Sequence, residues 1–485
     1  MKSASLFLSV AFSAAVLSLS ADPAREWKVV YGSAEGPEGK ALEVLTESVG
    51  RFTLRDAGRT TAHVLPLERA GTDIVPERKD LIVVGTPADN PLVREHLGGE
   101  AVPKGGFVVK TLNRGTQRVV LIAGDTPSAV LWGTFDFIDN ALGGFESPRF
   151  LAERPVRDYR RTTAPATPVR SLFTWGHVID DYRLFFREMA RLKLNRVILW
   201  NKHPPLNAAA VVHEAHAWGV AVFWGFAWGW TSDMCKSAET SDLAGLADSI
   251  VREWRGTWKP LGGDGIYFQT FTEQDRETIG GRSIASMAVE VVNAASRAIR
   301  AESPDLDIVF GLHANSVKTR LDDIARTDKS LEILWENCGG FPYYEHEGEP
   351  DVAFTDRILA ERPRVGLVWK EQVRQDWSCW VPPAGPYLLG CAGADLLARD
   401  RALTDARQGR YTDDWLRRGR EAYDLLRHVR AGSHPPYELN LVAEYNPPFR
   451  FATVIQAELF WSTEEDYDSI LARSMRNSTG QGSGR

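Results

Sequence analysis

The chain has 485 residues, 44% hydrophobic and 25% charged, with a formal net charge of −7. Those proportions belong to globular proteins and exclude a disordered or fibrous chain, and 57 basic residues interspersed among 64 acidic ones leave no basic stripe for nucleic acid. The outlying figure is 16 Trp against 5 Met; indole rings fill cores or stack on ligands, and their position along the chain decides between the two.

Met1-Lys2 precede an apolar, small-residue run from Leu6 to Leu19, with small residues through Ala21 before Asp22-Pro23. A charged start, a short apolar stretch and a small-residue cleavage zone predict a signal peptide over residues 1–21. The run is too short to span a bilayer, and no later segment is long and apolar enough. Periplasmic or secreted localisation is therefore expected, with no membrane span after cleavage. Cys235, Cys338, Cys379 and Cys391 could form disulfides after export, with pairing open, and none has metal-site spacing.

Residues 27–150 read as a small α/β domain. Strand-like runs fall at Trp27–Tyr31, Ala62–Leu67, Leu81–Gly85, Phe107–Leu112 and Arg118–Ala123, with helices over Gly39–Val49 and Ser128–Leu142. Glu153–Pro168 is a linker of Arg, Thr, Ala and Pro.

From Val169 short apolar strands alternate with amphipathic helices. Strands are predicted at Arg170–Trp175, Arg196–Trp200, Ala221–Phe226, Gly265–Phe271, Asp307–Leu312, Leu331–Trp335, Val365–Trp369 and Tyr387–Cys391. Helices are predicted at Asp180–Lys193, Leu206–Trp218, Leu243–Trp254, Ile284–Ala301 and Val352–Glu361. Eight such units in about 230 residues predict a (β/α)8 TIM barrel, an α/β fold, over residues 169–400. A doubly wound sheet is the alternative, but no G-x-G-x-x-G follows the first strand. Residues 401–475 read as a short helical tail.

A barrel of this class builds its site at the C-terminal ends of its strands. Those ends carry Trp175 and His177; Trp200, Lys202 and His203; Trp224, Trp228 and Trp230; Gln269 and Glu273; His313 and Asn315; Trp335 and Glu336; Trp369, Lys370 and Glu371. Aromatic platforms combined with opposed carboxylates suit glycoside hydrolysis: sugar C–H faces stack on indole, one carboxyl protonates the leaving oxygen, and another activates water or attacks carbon. Glu273 and Glu371 are the expected catalytic pair, with Glu336 in reserve. Trp175, His177, Trp200, Lys202, His203, Trp224, Trp228, Gln269, His313, Asn315, Trp335, Trp369 and Lys370 are the candidate contacts to an oligosaccharide or polysaccharide. No cofactor or metal is implied: His213-Glu214-Ala215-His216 lacks the H-E-x-x-H spacing. No G-x-S-x-G elbow occurs. A carbohydrate-binding protein on an inactive barrel is the reading from another class.

The layout resembles family 67 α-glucuronidases and, more distantly, family 20 hexosaminidases. Gly124-Asp125-Thr126-Pro127 and the following helix resemble the end of their accessory domain. The run from Asp264 to Glu273 resembles the α-glucuronidase strand-four segment, which implies that Glu273 is the general acid; Lys370-Glu371 resembles the strand-seven step whose glutamate helps activate water. Gln269 stands where that family has a lysine, and no aspartate lies in 337–344. Thr272-Glu273 replaces the Asp-Glu pair expected of family 20.

Overall fold

The computed structural model describes residues 27–49, 51–56, 59–64, 67–71, 80–142, 156, 158–174, 179–201, 203–228, 242–272, 276–313, 316–336, 352–369, 385–390, 394–442, 446–447 and 449–479. The N-terminal domain runs β1 (Trp27–Tyr31), α1 (Gly36–Val49), the antiparallel pair β2 (Arg51–Asp56) and β3 (Arg59–Val64), β4 (Leu67–Arg69), β5 (Asp80–Gly85), α2 (Pro91–Leu97), β6 (Phe107–Arg114), β7 (Gln117–Gly124), α3 (Pro127–Asp136) and β8 (Arg160–Thr163). The expected strand Ala62–Leu67 is thus split between β3 and β4. Six strands form a mixed sheet in the order β4-β1-β5-β7-β6-β8. Period-two alternation fills both faces: Ile82, Val84, Val109 and Ile122 join the core with α1 and α3, whereas Val83, Val108 and Leu121 pack with Val93 and Leu97 of α2. Asn90 and Thr126 cap α2 and α3 with their side chains, each followed by a proline.

The barrel follows as β9 (Val169–Phe173), α4 (Tyr182–Arg191), β10 (Arg196–Trp200), α5 (Ala208–Ala217), β11 (Ala221–Ala227), α6 (Leu243–Glu253), β12 (Gly265–Gln269), the short pair β13 (Thr278–Ile279) and β14 (Arg282–Ser283), α7 (Ile284–Glu302), β15 (Asp307–His313), α8 (Leu321–Ile324), β16 (Glu332–Glu336), α9 (Val352–Glu361), β17 (Val365–Trp369), α10 (Ala394–Arg430) and β18 (Glu438–Val442). Eight parallel strands close in the order β10-β11-β12-β15-β16-β17-β18-β9. The fold is a (β/α)8 barrel with an additional α/β domain.

The eighth strand corrects the sequence reading. Tyr387–Cys391 was expected to close the barrel, yet within it Tyr387 makes only an isolated bridge to Pro205 among the described residues. Closure is made by Glu438–Val442, hydrogen-bonded to β17 and β9. The barrel therefore extends to Val442 rather than residue 400, and the long helix α10 precedes the closing strand. The helical region 401–475 is accordingly divided: α10 is the seventh crossover, and α11 (Phe451–Trp461) with α12 (Tyr467–Thr479) follows the eighth strand. The reason lies in the pattern of β18: Glu438 and Asn440 face inward, so no apolar run marks it.

The barrel interior is layered. One apolar side chain from each strand forms the middle layer: Phe173, Ile198, Phe223, Tyr267, Val309, Leu334, Val368 and Val442. Beneath it, at the strand starts, lies a charged floor. Arg196 pairs with Glu332 at 3.0 Å, with Glu438, and with Asp307 at 3.4 Å. Ser171 donates to Glu438, and Asn440 donates to Ser171 at 2.6 Å. Burial raises the Glu332 carboxyl well above its ordinary range; Arg196 opposes this and neighbouring Glu438 reinforces it.

Helix α11 is predominantly apolar and buried throughout. Its Trp461 packs on Phe107 and Trp132 of the N-terminal domain, and it also touches β9 and β18. Arg161 of β8 pairs with Asp136, Glu458 and Glu465, and Lys193 pairs with Glu458 at 2.5 Å. Burial alone would raise Glu458, but Lys193, Arg473 and Arg161 outweigh it and hold the carboxyl well below the usual range. A buried ionic joint thus fixes the accessory domain against the barrel.

Candidate functional site

Strand parity decides which side chains reach the barrel mouth, because alternate residues face the interior and the helices. Above the apolar middle layer, Trp200 of β10, Gln269 of β12, His313 of β15 and Glu336 of β16 occupy the C-terminal end of the interior. Glu336 is fully buried. Its Oε1 accepts from the Tyr267 hydroxyl at 2.9 Å and from the Gln269 amide nitrogen. The same nitrogen lies 3.0 Å from His313 Nε2, which stands 3.3 Å from Glu336 Oε2. Gln269 Oε1 is buried with no partner among the described residues. The cluster is built from four side chains on three neighbouring strands, and its orphaned oxygen can accept from a hydroxyl or amide entering the mouth.

Two glycines make room for this layer. A Cβ at Gly311 would overlap the Tyr267 hydroxyl, and one at Gly225 would stand 2.6 Å from the Trp200 ring. Trp200, half-buried, lies against Phe173 with ring centroids 6.3 Å apart and meets Tyr267 edge-on at 6.0 Å. It is the expected platform residue that the described structure places at the inner mouth.

The other described tryptophans lie elsewhere. Trp224, Trp335 and Trp369 sit at odd steps from the inward positions of their strands and pack outward, in the layer between barrel and helices. The Trp224 indole donates to Gly262 O at 2.8 Å; Trp335 meets Phe354 of α9 and Trp369 meets Phe460 of α11, both edge-on. Trp228, just beyond β11, stacks on Phe268 at 3.6 Å and 10°. All four are buried core residues, which corrects their assignment as sugar platforms. His203 is half-buried just past β10. Glu273, Glu371, Trp175, His177, Lys202, Trp230, Asn315 and Lys370, and all four cysteines, lie outside the described residues.

Tyr267 was not among the expected site residues. It sits mid-strand in an apolar run, and its only sequence signal is that it shares the inward parity of Gln269, two residues on. A cavity of about 690 Å³ opens at the other end of the barrel, between the strand starts and the loops entering them. Its lining residues Arg196, Asp264 and Asp307 are already paired, and that end of such a barrel serves stability rather than chemistry.

No protein-family model and no curated relative matches the sequence. Among solved structures, the chain is similar to CpGH84B, with a TM-score of 0.55 and 10% identity, covering 92% of this chain and 70% of that one. It is also similar to a mutant Streptomyces plicatus β-hexosaminidase in complex with product GlcNAc, with a TM-score of 0.51, 11% identity and coverage of 94% and 91%. A family GH20 exo-β-N-acetylglucosaminidase from Vibrio harveyi, in complex with N-acetylglucosamine, gives a TM-score of 0.50 at 9% identity, with coverage of 93% and 73%. At these identities the likeness is one of fold.

Proposed function

We propose that this protein is an exported glycoside hydrolase whose site lies at the C-terminal mouth of the barrel. The observation that carries the reading is the buried carboxylate of Glu336, set among Tyr267, Gln269 and His313 at the ends of neighbouring strands. Barrel chemistry is assembled at this end, and sugar cleavage needs carboxyl groups in contrasting environments. Glu273 is the proposed general acid and Glu371 the proposed base, on the family 67 resemblance; Trp200 is the proposed platform.

The substrate is proposed to be an oligosaccharide or polysaccharide, with an α-glucuronidase-like specificity from that resemblance. A β-hexosaminidase-like specificity is the second reading, favoured by the fold shared with the hexosaminidases above. The deciding experiment assays purified protein on aryl α-glucuronides, uronate-decorated oligosaccharides and aryl β-N-acetylhexosaminides, beside Glu273→Gln, Glu371→Gln and Glu336→Gln. Cleavage of one class that falls by about 10²-fold or more in the Glu273→Gln variant supports the reading. Sugar binding without cleavage of any bond transfers the protein to the non-catalytic class. N-terminal sequencing of exported protein tests removal of residues 1–21.

A further inference from the structure

The oxygen of Glu336 that receives the Tyr267 hydroxyl also receives the Gln269 amide. Two donors aimed at one carboxyl oxygen favour the ionised form, and the two hydrogens of the Gln269 nitrogen suffice for Glu336 Oε1 and His313 Nε2 together. The phenol has little freedom to turn away. Its ring meets Phe173 edge-on at 5.0 Å and 81°, sits in the apolar layer that every strand contributes to, and points its hydroxyl into the space left by Gly311. The Glu336 carboxyl is therefore held at the mouth, anchored from below by a rigid side chain. A buried charge held in advance acts through a low-dielectric medium and needs no reorganisation when charge develops nearby.

We propose that Tyr267 is a positioning residue which, with Gln269, fixes Glu336 as the anion that stabilises positive charge developing on a sugar ring at the mouth. This rests on the glycosidase reading above. It gives Glu336 an electrostatic duty that its complete burial suits, and leaves proton transfer to other carboxyl groups.

The test compares wild type, Tyr267→Phe and Glu336→Gln, with thermal unfolding as the folding control. On whichever glycoside the wild type cleaves, Tyr267→Phe lowers kcat about 10- to 100-fold with KM little changed, as expected for one hydrogen bond to a charge. The acid limb of its pH profile moves up by about one unit. Binding supplies a second readout: basic iminosugars of gluco, glucurono and N-acetylglucosamine configuration are titrated against their uncharged lactams. Wild type prefers the cation, and both variants lose about 10-fold or more of that preference. Carbon-13 NMR of glutamate-labelled protein, with the Glu336 signal assigned by its loss in Glu336→Gln, follows the carboxyl directly; its midpoint rises in Tyr267→Phe. An active Tyr267→Phe enzyme with unchanged pH profile, cation preference and midpoint overturns the proposal and leaves the glycosidase reading intact. If wild type neither cleaves nor binds any sugar, the reading falls and the proposal falls with it.

Discussion

Glu332 and Glu336 begin and end the same strand, face the same interior and are both fully buried. At the floor, Glu332 shares the Arg196 guanidinium with a second carboxylate, Glu438, inside a closed network. At the mouth, the described partners of Glu336 are a phenol, an amide and an imidazole, and an oxygen of that amide has no partner among the described residues. The same side chain thus serves the structure at one end and the candidate site at the other. Burial does not separate the two; the company each carboxyl keeps does.

The largest effect expected is at the floor. Arg196→Met removes the guanidinium shared by two buried carboxyls, leaving Glu332, among the described residues, only the longer ion pair to Arg364 at 3.5 Å, and should destabilise the fold by about 3–5 kcal/mol in urea unfolding, the usual result of breaking a buried pair. An unchanged midpoint would mean that charge pairing does not hold the floor. Glu336→Gln makes the opposite trade: turnover should fall by about 10²–10³-fold, while the unfolding free energy stays within about 1 kcal/mol of wild type. Loss of stability matching that of Arg196→Met would erase the distinction between the two ends.

Gly311→Ala forces a methyl into the Tyr267 hydroxyl and should cost about 1–3 kcal/mol by overpacking, with activity falling in step with Tyr267→Phe. A fully active, equally stable variant would show that the phenol can move freely. Trp200→Leu should raise KM about 2- to 10-fold through lost aromatic contact, whereas Trp335→Phe, altered on the outward face of β16, should leave KM unchanged; equal effects would dissolve the assignment by strand parity.

The smallest effect is a pH slope. Above about pH 4.3 an unfolded glutamate has lost its proton, while Glu332, raised by burial, retains it in the folded chain. The folded state then binds more protons, so wild-type stability falls as pH rises toward the raised value, and this cost vanishes below the unfolded value. Glu332→Gln removes the titrating group. Urea midpoints between about pH 4 and pH 8 should show wild type losing ground to the variant as pH rises; parallel curves would mean that Glu332 does not hold its proton in the folded chain.

Much of the barrel was legible because its strands are buried on both faces and read as short apolar runs. Val365–Trp369 coincides with β17, and β16 differs from expectation by one residue at each end. That single step matters, since it brings Glu336 into the strand with the inward parity of Leu334. The closing strand was illegible for the complementary reason. Its inward residues Glu438 and Asn440 serve the polar floor, so the run that would have marked it is interrupted, and α10 separates it from β17 by far more chain than an ordinary crossover.

The sequence by itself determined the first seven barrel strands in order, the accessory domain before the barrel, and the clustering of tryptophan in the barrel segment, because all of these follow from local apolar pattern and composition. It also named Glu336, Gln269 and His313 as strand-end residues. Only the tertiary structure decided that these three meet, that Tyr267 joins them from below, and that Trp224, Trp228, Trp335 and Trp369 belong to packing. Whether a side chain faces the barrel axis or the helices depends on the register of strand against strand, and that register is fixed by contacts between residues far apart in the chain.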